Sequence, residues 1–183
     1  MTNPEQKILI VDDEPMIRRL LHQKLTKQGY HCEEACSSEE ALVIMGNYVP
    51  DLMLLDLKMP GKSGMDLLPE LKTMYPGLAV IMATAVNETN LAIQCMRLGA
   101  EDYVCKPFNL DEVALNVEKT LEKKSLEKKI KEFQEQLNQK VEQQTLEIRT
   151  LFLGSIEALV FALEAKDKYT AGHSRRVTEI ALA

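Results

Sequence analysis

The stretch "DLMLLDLKMPGKSGMDLL", residues 51–68, decides how the rest of the chain is read. Leu52 to Leu55 are apolar at every position instead of at every second one, so a strand there is buried on both faces, as in a parallel sheet. An acid, Asp56, closes the run. A loop with Pro60, Gly61 and Gly64 follows, and from Met65 to Met74 the apolar residues take helical spacing. This is one βα unit. Working outward, "KILIV" (7–11) and "LAVIMA" (78–83) are equally continuous, while "YHCEEA" (30–35) and "DYVC" (102–105) are weaker strand candidates. Between them lie helical stretches at Pro15–Lys27, stopped near Gly29; Ser38–Met45, with Glu39 and Glu40 in its first turn; and Thr89–Leu98, stopped at Gly99. Strand and helix alternate throughout. The expected fold is α/β: a doubly wound, five-stranded parallel sheet with helices on both faces and a ligand site at the carboxyl ends of its strands.

Charge and composition narrow the function. With 22 Lys and Arg against 28 Asp and Glu in 183 residues, the net charge is −6. That balance argues against a nucleic-acid surface, which needs clustered cations. Cys32, Cys36, Cys95 and Cys105 form no CxxC pair and are read as reduced thiols, with neither zinc nor disulfides implied. The N-terminus lacks a basic flank with an apolar core, and the longest apolar run, "LAVIMATAV", is far short of the ~20 residues that span a bilayer. The expectation is a cytoplasmic chain with no membrane segment.

The chemistry follows from where the carboxylates fall. Asp12 and Asp13 come directly after the first strand and Asp56 after the third, and in a parallel sheet these ends point one way. Three convergent carboxylates raise each other's pKa, and a divalent cation removes the conflict. An all-oxygen set favours Mg²⁺, which keeps waters and accepts a phosphate oxygen. Thr84 and Lys106 end the fourth and fifth strands and bring a hydroxyl and an ammonium, the donors a phosphoryl group requires. Singly, Asp13 is a helix cap, Thr84 a turn former and Lys106 a surface charge; together they describe a phosphoryl site.

The motifs "ILIVDDEP", "DLMLLDLKMPGKSGMDLL", "VIMATA" and "GAEDYVCKPF" resemble, in order and spacing, those of the receiver domain of bacterial two-component response regulators. The resemblance runs from Lys7 to about Thr120 and implies a flavodoxin-like fold. It also implies that Asp56 takes a phosphoryl group from the phosphohistidine of a partner histidine kinase. Asp13 and Asp56 would bind Mg²⁺ directly, Asp12 through water, and the Lys58 main-chain carbonyl would add one oxygen. Thr84 and Lys106 would hold phosphoryl oxygens, Tyr103 would be the switch aromatic, and the Lys106–Pro107 bond would be cis. Gly61 and Gly64 fit the loop beside the phosphoacceptor.

Domain organisation is read as a receiver over residues 1–120, a coiled-coil linker helix over 121–150 and the first part of a helical output domain over 151–183. From Phe108 to Leu153 there is no Gly or Pro. Leu126, Ile130, Phe133 and Leu137 form a heptad-like seam, continued by Val141, Thr145 and Ile148 at the spacing of a stutter, which points to a homodimer through this helix. A new apolar helix is expected after Gly154. The pattern "DKYTAGHSRRV", residues 167–177, resembles the opening of the HD-GYP domain, a metal-dependent cyclic di-GMP phosphodiesterase. By that resemblance His173 is a ligand of an Fe or Mn centre in the complete output domain. It could also be a kinase-type phosphoacceptor, though Ser174 stands where an acid belongs, or an ordinary surface histidine. The remaining His-Asp and Gly-Tyr-Pro motifs do not occur before Ala183, so this chain is expected to be a phosphoacceptor switch and not itself a phosphodiesterase. The competing reading is an adaptor whose helical arm docks on another protein.

Overall fold

The computed structural model describes residues 6–85 and 89–166. Residues 167–177, with His173, lie outside them. The receiver-like part folds within one compact unit, residues 1–128, and a second unit covers 129–183.

In the first unit five strands, β1 (Lys7–Val11), β2 (His31–Ala35), β3 (Leu52–Asp56), β4 (Ala79–Ala85) and β5 (Asp102–Lys106), alternate with helices α1 (Pro15–Lys27), α2 (Ser38–Met45), α3 (Gly64–Met74), α4 (Thr89–Arg97) and the start of α5 (Leu110–Lys166). All strand pairings are parallel, in the order β2-β1-β3-β4-β5. The expected doubly wound sheet is present.

Strand alternation divides the interior into two cores. Leu9, Val11, Met53, Leu55, Val80 and Met82 face one side, where Met45 of α2, Leu67 and Leu71 of α3 and Cys95 of α4 cover them. Ile8, Ile10, Leu52, Leu54, Ile81 and Ala83 face the other, under Leu21 and Leu25 of α1 and Val113, Val117 and Leu121 of α5. Successive strand residues point to opposite faces, so continuous apolar runs are what a sheet covered on both sides demands. The helix ends follow local chemistry. Pro15 opens α1, Ser37 Oγ accepts the Glu40 N–H at the head of α2, and Ser63 Oγ accepts the Asp66 N–H at the head of α3. Gly29 and Gly99, at φ 95° and 103°, end α1 and α4 in the left-handed region.

Two boundaries differ from the sequence expectation. β4 runs one residue past Thr84, to Ala85, whereas β5 ends at Lys106 as expected. No new helix starts after Gly154: α5 continues through it to Lys166. A single interior glycine costs a helix only about 1 kcal/mol, and good helix formers flank this one.

At the end of the sheet away from the strand carboxyl termini, Glu101 ties several elements together. Its carboxylate accepts from Lys72 Nζ at 2.8 and 2.9 Å and from the Val80 N–H at 2.7 Å, and pairs with Lys124 Nζ of α5 at 2.8 Å. Burial pushes this carboxyl up, but Lys124, Lys72 and the amide outweigh it and hold it below its ordinary range.

Candidate phosphoryl site

The carboxyl ends of β1 and β3 bring the acids together as the sequence predicts. One oxygen from each of Asp12, Asp13 and Asp56 lies within 4.8 Å of the others. Asp12 and Asp56 are 2% and 5% exposed, whereas Asp13 is more open to solvent. Asp12 is fixed by the first turn of the following segment, where its Oδ1 accepts the Glu14 N–H at 2.9 Å and its carbonyl accepts from Arg18 at 2.6 Å.

From β5, Lys106 reaches into the cluster. Its Nζ is 2.8 Å from Asp12 Oδ2 and 3.0 Å from Asp56 Oδ2. The contact with Asp12 Oδ2 supplies counter-charge but is off the hydrogen-bonding direction, which leaves this buried oxygen with no aligned donor. Burial pulls the Lys106 ammonium down, and the two carboxylates more than reverse this, so it stays charged. Burial pushes the Asp56 carboxyl up to about 6, and Asp12 adds to the rise. Lys106 and the Lys58 main-chain N–H oppose both and do not cancel them.

The residues present fit a divalent cation: three clustered carboxylates, one carrying a buried oxygen without an aligned donor and one raised by burial and, to a smaller extent, by its like-charged neighbour. One ammonium balances only part of three negative charges. A hard cation with oxygen preference suits this donor set.

Thr84 lies on β4 one position past Ala83, the register partner of Asp56, and its hydroxyl is buried. Tyr103, on β5, packs half-buried against the core on the α2–α4 side. The Lys106–Pro107 bond is cis. Lys58, two residues past Asp56, has an exposed side chain, so what it offers the site is its main chain.

Two features were not singled out from sequence. Glu14 Oε1 lies 3.7 Å from Lys106 Nζ, and the Phe108 ring centroid is 5.9 Å from the same ammonium, within cation–π range. Both sit inside the motifs quoted above, so adjacency was the available signal. Gly64 is the first residue of α3, and a Cβ there would come 2.1 Å from the Asp56 carbonyl oxygen and 3.0 Å from Leu55 Cγ. The need is close approach of a helix to the end of β3, which spacing alone does not reveal.

Residues 8–118 match the family profile of the response regulator receiver domain. The chain belongs to the response regulator receiver family. Over 120 residues the receiver is 40% identical to Sporulation initiation phosphotransferase F of Bacillus subtilis (strain 168), covering 66% of this chain and 97% of that protein. It is 37% identical over 132 residues to Regulatory protein AtoC of Escherichia coli (strain K12), covering 72% of this chain but 29% of that protein. Among solved structures, the receiver domain of NtrX from Brucella abortus superposes with a TM-score of 0.61 at 35% identity, over 63% of this chain and 98% of that one. Receiver domains are phosphoacceptors and not enzymes; histidine kinases phosphorylate them, and they bind Mg²⁺ in an acidic pocket. Among the described residues no helix is long and apolar enough to cross a membrane.

Proposed function

We propose that Asp56 is the phosphoacceptor of this receiver. The observation that carries the reading is the placement of Lys106 Nζ between the Asp12 and Asp56 carboxylates, with Asp13 in the same cluster. An Asp56 carboxylate oxygen attacks the phosphorus of a kinase phosphohistidine, the P–N bond breaks, and an acyl phosphate forms. Lys106 and the Thr84 hydroxyl hold the phosphoryl oxygens. Asp12, Asp13, Asp56 and the Lys58 main-chain carbonyl hold Mg²⁺, which when bound offsets the charge of the carboxylates and the incoming phosphoryl group. Tyr103 reports the state by turning further into the interior when Thr84 engages the phosphoryl group. The state passes to α5, which pairs with a second copy as a homodimer.

The pattern at residues 167–177 supports an HD-GYP-like output acting on cyclic di-GMP, with His173 as one ligand of an Fe or Mn centre once that domain is complete. A second reading, an adaptor acting through its arm on another protein, rests on the exposed apolar side chains of α5.

Intact-mass spectrometry after incubation with acetyl phosphate tests the core of the proposal. The expected result is one added phosphoryl group, dependent on Mg²⁺ and absent in Asp56→Asn. Equal labelling of that variant would place the acceptor elsewhere.

A further inference from the structure

Much of α5 carries apolar side chains that are exposed among the described residues. Leu137, Ile148 and Leu159 recur every eleven residues, and Ile130, Val141, Phe152 and Leu163 recur every eleven residues beside them. Leu126 extends the first series by one more step. Each of these side chains is at least 50% exposed. At 3.6 residues per turn both series share one arc about 100° wide from Leu126 to Leu163.

A heptad seam does not continue this way. Carried past Leu137, a seven-residue repeat places Lys140, Gln144, Glu147, Gly154 and Ala158 on the seam and only Leu151 and Phe161 as large apolar residues. The eleven-residue repeat places Val141, Ile148, Phe152, Leu159 and Leu163 there instead. At about 3.67 residues per turn, such a repeat pairs helices nearly straight or with a right-handed supercoil, the opposite hand to a heptad coil.

The stripe commits to one occupant. Burying these side chains removes roughly 800–1,000 Å² per helix, the range of a standard protein interface. A second α5 matches the stripe in length and period. Its direction follows from a gradient along the helix. Around Ile130 the stripe is narrow, with Lys128, Lys129, Lys131 and Glu132 nearby, whereas toward the other end Leu151 and Ile156 flank it and widen it. Parallel pairing sets wide against wide, while antiparallel pairing sets the apolar end around Leu159 against the charges around Lys129.

We propose that two α5 helices of this protein pair parallel and in register through the eleven-residue stripe; this rests on the reading of α5 as a dimer arm. The test is disulfide trapping of single cysteines in the full chain carrying Cys36→Ser and Cys105→Ser, read on non-reducing gels. Far-UV circular dichroism of each variant confirms its helix content, and sedimentation velocity is run on the unsubstituted chain. A disulfide needs Cα atoms within about 7 Å, so adjacent positions separate the two repeats. The expected result is a dimer in which Ile148→Cys and Leu159→Cys cross-link about tenfold faster than Glu147→Cys and Ala158→Cys. Faster trapping at the latter pair, in a dimer, would overturn the eleven-residue register alone. Mixed disulfides between Ile130→Cys and Leu163→Cys chains would overturn the parallel arrangement. A monomer at all concentrations would remove the dimer reading itself.

Discussion

Asp56 is nearly buried, and replacing it with asparagine should stabilise the fold above neutral pH. Its carboxyl is pushed up to about 6 in the folded chain against an ordinary 3.8. With 7% of the side chain exposed, solvent screening takes little from the effect. Because the folded value is raised, the favourable contribution belongs to the protonated form. It is complete below the ordinary value, declines as pH rises, and is gone above the folded value. A rise of this size corresponds to about 3 kcal/mol lost by pH 8, about half of it between pH 5 and pH 8. Asparagine keeps the shape and removes the charge. Lys106 loses one carboxylate partner and keeps Asp12, which offsets part of the gain. The net expectation is a stabilisation of about 1–3 kcal/mol at pH 8 in chelator, shrinking by about 1.5 kcal/mol at pH 5.

Urea unfolding of the full chain, followed by far-UV circular dichroism at pH 5, 6.5 and 8, measures the difference. With m near 1.5 kcal/mol/M, the pH 8 effect moves the midpoint by roughly 1–2 M. Other groups titrate in both proteins and cancel in the comparison. Mg²⁺ should raise wild type more than the variant, because the variant has lost a ligand. A less stable variant at pH 8, or a difference that does not change with pH, would refute the account of a desolvated, like-charged carboxylate.

The same geometry constrains other substitutions. Gly64→Ala puts a methyl 2.1 Å from the Asp56 carbonyl oxygen, so it should cost at least about 1–3 kcal/mol in urea and slow phosphorylation by displacing the strand end. Lys106→Met leaves two buried carboxylates without their ammonium; a loss of about 3 kcal/mol at pH 8, smaller at pH 5 where Asp56 is protonated, is expected in the same assay. Glu101→Gln removes the acceptor shared by Lys72 and Lys124. Since that carboxyl is held below its ordinary value, its contribution is present above that value and fades as pH falls through the lowered one; the variant should lose about 1–3 kcal/mol at pH 7 and converge on wild type in acid.

Much of the sheet was legible because burial on both faces leaves its mark on every residue of a central strand. Leu52 to Leu55 show it, and so do the glycines that stop α1 and α4. Strand ends were less legible. Thr84 is polar, and hydropathy ends a strand where polarity begins, although backbone pairing carries β4 on to Ala85, opposite Lys106. The acid cluster could be placed because parallel ends converge. The Gly64 contact could not, since it depends on how closely α3 approaches β3. The passage of α5 through Gly154 was missed for an energetic reason: one unfavourable residue is outweighed by the helix formers around it.

The route from site to arm is set by chain connectivity. Within the first unit, β5 supplies both Tyr103 and Lys106, and only Pro107, Phe108 and Asn109 separate Lys106 from Leu110, where α5 starts. Phe108 and Leu110 pack against the same core as Val113, Val117 and Leu121. A few residues held at one end by an ion pair and at the other by a packed helix have little slack in which to absorb a shift of the ammonium. Displacement of Lys106 from Asp12 toward a new anion therefore has two outlets, rotation of the Phe108 ring or movement of the first turn of α5. Phe108→Ala separates them: if the ring absorbs the shift, removing it should leave phosphorylation-dependent hydrogen exchange in residues 110–121 unchanged, whereas if the ring transmits it, that response should fall while labelling of Asp56 persists.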